Sequence, residues 1–142
     1  MRDLRLEFAS FCLQNSAFVT YPPYNGKVNS EISSYEVILI TADAERIIRV
    51  RADEHIWDAA LRAGIRLPAL CHQGRCLTCA GRLLDAGEVD QLDSISYFPQ
   101  DRQAGFILLC TGKPCSNLRI LTHQQDQMRQ HRRQHGLPAP YS

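Results

Sequence analysis

The 142-residue sequence has no run of eighteen apolar residues, so no membrane-spanning helix is expected. Its first residues, MRDLRLEFASFCLQNS, have no continuous apolar stretch and no clear small-residue cleavage site, which argues against a secretory signal. They are not Ser-rich and carry Asp3 and Glu7, which argues against a transit peptide. There is no glycine-rich dinucleotide fingerprint, no phosphate-binding loop and no supported Ser/His/Asp arrangement. Charge of one sign is also missing, since Lys and Arg total 16 against 15 Asp and Glu. A nucleic-acid partner is therefore not expected. A hydrophobic share of 44 % is ordinary for a folded domain with appendages.

The chemistry lies in Cys71-His-Gln-Gly-Arg-Cys76-Leu-Thr-Cys79, with Cys110 thirty residues on in an apolar run. Four thiolates can close a site for iron–sulfur clusters or zinc. Structural zinc usually takes two short paired knuckles. Here three sulfurs share one loop and the fourth is remote. A 2Fe-2S rhomb needs two thiolates on each iron, and one tight loop can wrap three of the four, with its backbone N–H groups turned toward the sulfurs. Gly74, without a Cβ, suits a left-handed or closely packed position in that loop. Thiolates kept for a metal imply a reducing interior. Cys12 and Cys115 are left over and are expected there as free thiols.

Around this loop the pattern is mixed. Tyr35-Glu-Val-Ile-Leu-Ile40 and Arg46-Ile-Ile-Arg-Val-Arg51 read as a hairpin, with Ile48 and Val50 on its inner face. A helix is expected to open at Asp53-Glu54, to bury Ile56, Ala59, Ala60 and Ala63, and to stop at Gly64. Trp57 and Leu61 are spaced to pack together. Ala80-Gly-Arg-Leu-Leu84 is a short strand, and a helical turn is expected around residues 96–100. Phe106-Ile-Leu-Leu-Cys110 is a buried strand, and Leu118, Ile120 and Thr122 alternate in a last one. The tail HQQDQMRQHRRQH has no apolar stripe and reads as an exposed helix ended by Gly136. His131 and His135 stand one turn apart, but with no third ligand nearby they read as solvated, like His123. Two strands, a crossing helix and strands that return to the first hairpin make an α+β β-grasp with a mixed sheet and one main helix.

Residues 35–123 resemble the plant and cyanobacterial 2Fe-2S ferredoxins. The likeness rests on Asp53-Glu-His-Ile-Trp-Asp-Ala-Ala60, Ala63-Gly-Ile-Arg-Leu-Pro68, the Cys71–Cys79 loop with Ala80-Gly81, Ala104-Gly-Phe-Ile-Leu-Leu-Cys110 and the closing Ile120-Leu-Thr-His-Gln124. The C-x4-C-x2-C…C spacing is that of the plant-type site. The resemblance implies one 2Fe-2S cluster held by Cys71, Cys76, Cys79 and Cys110, one-electron transfer to soluble redox proteins, and no enzymatic activity. It implies a monomer in a cyanobacterial cytoplasm, with the chloroplast stroma as the alternative. Residues 1–34 and 124–142 are then extensions foreign to the simple carrier, although some divergent plastid and cyanobacterial ferredoxins have such a C-terminal tail. Cys115 is a rival fourth ligand, at a spacing closer to the adrenodoxin type, but those proteins have one more residue between their first two ligands.

The departures are informative. Photosynthetic members are strongly acidic and place two carboxylates after Thr-His-x; here Gln125 and Asp126 stand there. They usually have an aromatic where ungapped register puts Ser96, next to Tyr97 and Phe98, and small or hydroxyl residues where Arg75 and Leu77 stand. Residues 46–82 hold seven arginines against three acids, and residues 83–101 hold five acids and no base. A basic loop segment suits an acidic partner. Arg75 is expected to raise the reduction potential by Coulomb attraction, and Leu77 to limit solvent access. A specialised acceptor is therefore expected, not the main photosynthetic reductase. The alternatives are a redox or iron sensor that recruits a partner, and a zinc-bound interaction module.

Overall fold

The computed structural model describes residues 33–140. Strands β1 (Ser34–Ile40) and β2 (Glu45–Arg51) pair antiparallel, with Val37 opposite Ile48 and Tyr35 opposite Val50. Val37, Leu39, Ile48 and Val50 all turn into the core, as the alternation requires. Helix α1 (Ile56–Arg62) follows, then β3 (Ala80–Leu83), β4 (Val89–Asp90), helix α2 (Pro99–Gln103), β5 (Phe106–Leu108), β6 (Lys113–Pro114), β7 (Leu118–Leu121) and helix α3 (Gln125–Gln134). The main sheet runs β2-β1-β7-β3-β5, with β1 and β7 parallel and the other neighbours antiparallel. A β4–β6 ladder, which the sequence reading missed, lies apart. This is the expected α+β β-grasp.

Helix α1 starts two to three residues later than its acids suggested. Glu54 is taken by a turn: its N–H donates to the Arg51 carbonyl (3.0 Å), and its carboxylate accepts the Arg51 N–H (3.2 Å). Ile56, Ala59 and Ala60 are buried, but Ala63 is the exposed C-cap, ahead of Gly64 at φ +83°. Trp57 does not need Leu61, which is largely exposed. Its indole N–H donates to the Leu67 carbonyl (2.9 Å) and its ring meets His72 edge-on at 4.7 Å, so it pins the approach to the cysteine loop.

Helix α2 begins at Pro99, later than expected. The Phe98 N–H at its start is satisfied by the Asp101 carboxylate at 2.9 Å. The larger correction concerns α3, which is not an exposed helix. Met128 and Arg132, one turn apart, are fully buried, and Gly136 (φ +68°) ends the helix where expected. Burying Met128 contributes about 1.5–3 kcal/mol. Arg132 makes a buried pair with Asp101 (Nη2–Oδ2 2.8 Å, Nε–Oδ1 3.0 Å). Its remaining donors go to Pro138 O (2.9 Å), Ser96 O (2.9 Å) and Ser96 Oγ (3.4 Å), and its guanidinium lies 4.8 Å over the Phe98 ring. A hydropathy reading scores this arginine as solvent-facing, and only the full set of partners makes its burial possible. His131 is also not solvated. It packs on Phe106 at 5.2 Å and His135 at 4.4 Å, and burial pushes its pKa down.

Replacing Arg132 by Met leaves the Asp101 carboxylate buried without its cation. A loss of about 3–5 kcal/mol is expected in urea unfolding followed by far-UV circular dichroism. The double variant Arg132→Met with Asp101→Asn is expected to lose less than Arg132→Met alone.

Candidate metal centre

The sheet supplies half of the centre. Cys79 immediately precedes β3 and Cys110 follows β5 by two residues, and these strands pair with Ala80 opposite Leu108. The ladder therefore ends with the two cysteines side by side. The Leu109 N–H donates to the Cys79 carbonyl (3.2 Å) and the Cys110 N–H to Cys79 Sγ (3.3 Å). Helix α1 fixes the far side, its first N–H groups donating to Gly112 O and Leu109 O (both 2.9 Å). The buried strand ends at Leu108, so Cys110 sits on the following turn and not on the strand itself.

The loop supplies the other half. Cys71 Sγ accepts the N–H groups of Gln73 and Cys76 (both 3.4 Å), and Cys76 Sγ accepts that of Thr78 (3.4 Å). Such inward N–H groups need unusual backbone. His72, Gly74 and Leu77 all have positive φ, at 56°, 74° and 67°. A Cβ on Gly74 would lie 2.6 Å from Cα of Ser94. The neighbouring segment locks the loop through Ile95 N–H to Gln73 O (2.9 Å) and Ser96 N–H to Gly74 O (3.0 Å). Ser94 is in turn bonded to Thr111, beside Cys110, at 2.6 Å.

The sulfurs fall into two interacting pairs, Cys71 with Cys76 and Cys79 with Cys110. Burial pushes the Cys71 thiol up, but N–H donation from Gln73, Arg75 and Cys76 outweighs it and brings the pKa down to about 7. Cys79 is lowered chiefly by its bond from the Cys110 thiol, and Cys110 is raised correspondingly. Among the described residues no three His, Cys, Asp or Glu side chains converge as ligands of a single ion. Two pairs of sulfurs, each with one member held toward the thiolate, fit a binuclear cluster better than mononuclear zinc.

The comparisons agree. The 2Fe-2S iron-sulfur cluster binding domain family matches residues 40–115. The chain is 38 % identical over 97 residues to Ferredoxin-2 of a Synechococcus species, covering 68 % of this chain and 91 % of the relative. The chain belongs to the 2Fe-2S ferredoxins of the plant and cyanobacterial type. The heterocyst ferredoxin of a Nostoc species is 41 % identical over 96 residues, covering 66 % of this chain and 96 % of that one. The crystal structure of Pectocin M2 superposes with a TM-score of 0.59 at 34 % identity, over 67 % of this chain but only 34 % of that protein.

This ferredoxin is therefore a one-electron carrier with a single 2Fe-2S cluster, not an enzyme. No helix among the described residues is long and apolar enough to cross a membrane. Of the departures, Arg75 is exposed and Leu77 is fully buried in the core. Cys115, the rival fourth position, lies at the end of the β4–β6 ladder, where its N–H donates to Glu88 O (2.9 Å). It is disulfide-bonded, which corrects the expectation of a free thiol; Cys12 lies outside the described residues. The sequence reading missed Ser94, Thr111 and Arg129. Arg129 donates to Cys76 O (3.1 Å) and Thr78 Oγ1 (3.2 Å) from α3, and nothing in the tail's pattern marks it.

Gly74→Ala puts a side chain at positive φ against backbone. Iron and acid-labile sulfide per chain are expected to fall well below wild type. Gly136→Ala, also at positive φ but with open space around it, is expected to keep full content.

Proposed function

We propose that Cys71, Cys76, Cys79 and Cys110 hold the cluster, and that this ferredoxin serves a specialised acceptor instead of the main photosynthetic reductase. The observation that carries the ligand assignment is the pairing of sulfurs, Cys71 with Cys76 and Cys79 with Cys110, under inward backbone N–H groups. When bound, the cluster supplies reversible uptake of one electron. The chain's own part is electrostatic. Fixed N–H dipoles from Gln73, Cys76, Thr78 and Cys110 point at sulfur and stabilise negative charge there without having to reorganise. Residues 35–123 form the carrier domain and residues 124–142 an extension. The carrier works as a monomer, without nucleic acid, in a cyanobacterial cytoplasm or, alternatively, a chloroplast stroma. Cyanobacterial relatives and the chloroplastic Ferredoxin-6 of Zea mays support both locations.

The acceptor reading rests on charge. The segment from Arg46 to Arg82 is basic and Gln125 replaces a carboxylate, so a basic reductase finds little to attract it, while an acidic acceptor does.

The ligand test is iron content. Cys110→Ser is expected to lose the cluster and its visible absorption, and Cys115→Ser to retain both. Iron that survives in Cys110→Ser sinks the assignment. For the acceptor, stopped-flow reduction of a basic ferredoxin–NADP reductase at low salt is expected to be slower than by a strongly acidic ferredoxin. Equal rates would remove the docking reading.

A further inference from the structure

The cysteine loop touches the C-terminal helix at one charged side chain. Arg129 is mostly buried, with 11 % of its side chain exposed. Its Nη2 donates both to the Cys76 carbonyl and to the Thr78 hydroxyl, and its Nε donates to the Pro140 carbonyl at 3.1 Å. Its nearest carboxylate, Asp126, is 3.8 Å away and 90 % exposed, so the guanidinium charge is only weakly offset. The two loop acceptors flank Leu77, which stands at φ 67°. That left-handed residue turns the Thr78 N–H back onto Cys76 Sγ (3.4 Å). The helix itself cannot drift, because Arg132, one turn along, is locked to Asp101 and to Ser96, whose own N–H holds the Gly74 carbonyl.

We infer that Arg129 is a positioning residue for electron transfer: it holds the Cys76–Cys79 turn closed and places a fixed positive charge beside the cluster that favours the reduced state. The inference rests on the ligand assignment above. It differs from the expectation for Arg75, which is exposed and loses most of its effect to solvent and salt. A mostly buried guanidinium keeps its Coulomb effect on the added electron. It also keeps the turn's carbonyl and hydroxyl bonded to a charged donor, the stronger class of hydrogen bond.

The test uses the full-length, cluster-loaded protein and three variants, Arg129→Met, Arg129→Lys and Arg133→Met. Arg133 lies on the exposed face of the same helix, so its loss changes net charge equally without touching the loop. The readouts are the midpoint potential at low and high salt, and deuterium uptake of the peptide spanning residues 72–80 by mass spectrometry. Arg129→Met is expected to have a more negative midpoint than both wild type and Arg133→Met, with the difference persisting at high salt. Its loop peptide is expected to exchange at least about tenfold faster, since both loop bonds to the charged group are lost and one such bond alone is worth about that much. Arg129→Lys restores most of the midpoint but not the protection, because one ammonium cannot fork between loop and tail as the guanidinium does. The inference is overturned if Arg129→Met and Arg133→Met share a midpoint, or if loop exchange is unchanged. Should Arg129→Met fail to assemble, the lysine variant decides through its loop exchange: faster than wild type supports the inference, equal to it overturns it. Normal iron loss in Cys110→Ser alongside unchanged loop exchange would sink only this inference, whereas iron retained there would sink the ligand assignment.

Discussion

Sulfurs that bind iron do so as thiolates, and four thiolates within one small volume repel each other. The fold has to hold them together before any metal chemistry is possible. It does so with backbone dipoles. N–H groups from Gln73, Cys76, Thr78 and Cys110 each end on a cysteine sulfur. Three of these donors come from the nine-residue loop, and that dictates its left-handed residues, since an extended or helical backbone cannot turn them all inward. Gly74 takes one such position at little cost, while His72 and Leu77 each cost about 1–2 kcal/mol. Surrounding contacts must offset this. They come from the 94–96 segment, from Trp57 and from α3, each contributing bonds that reach the loop or its approach.

The sheet solves a different part of the problem. Cys79 and Cys110 are thirty-one positions apart, yet antiparallel pairing of β3 with β5 sets Leu109 against Cys79 at the ladder's end and so brings Cys110 beside it. A one-residue slip would turn Cys79 to the opposite face. The register is held by the buried Phe106, Ile107 and Leu108, so the apolar run before Cys110 serves the site as well as the core. The same run places Thr111 against Ser94, which links the fourth cysteine's turn to the segment that locks the loop.

Much of this was legible in the sequence. The β1–β2 hairpin, β7 and most of the buried stripe of α1 follow from period-two and period-3.6 patterns that packing then honours. The cysteine spacing singled out residues that the fold brings together in two pairs, Cys71 with Cys76 and Cys79 with Cys110. Positions where polar groups carry the packing were not legible. The start of α1 moved because Glu54 is consumed by a turn, and the β4–β6 ladder is too short for any periodicity to show. The tail was read as solvated because arginine and histidine score as polar. Arg132 is buried through a set of partners spread over Ser96, Asp101 and Pro138, and no local pattern contains that information.

Three of the departures from the photosynthetic pattern lie in or beside the helix that follows β7 and the loop it meets. Ser96 stands where an aromatic is usual, and it is the residue that joins Arg132 to the Gly74 carbonyl. Leu77 stands where a small or hydroxyl residue is usual, and the groups on either side of it are those Arg129 holds. Gln125 stands where a carboxylate is usual, and it opens α3, whose approach is fixed by Gln124 N–H to Ala80 O at 3.0 Å. Taken singly, each substitution removes something from the simple carrier: a ring, a hydroxyl, a docking acid. Ser96 and Leu77 both stand at the contact between the cysteine loop and α3, and Gln125 stands at the start of that helix. A bulky aromatic at 96 would compete with Arg132 for the space over Phe98 and Asp101, where every guanidinium donor already has its acceptor. The loop and the helix that packs against it are therefore one structural unit, joined through Ser96, Arg129 and Arg132.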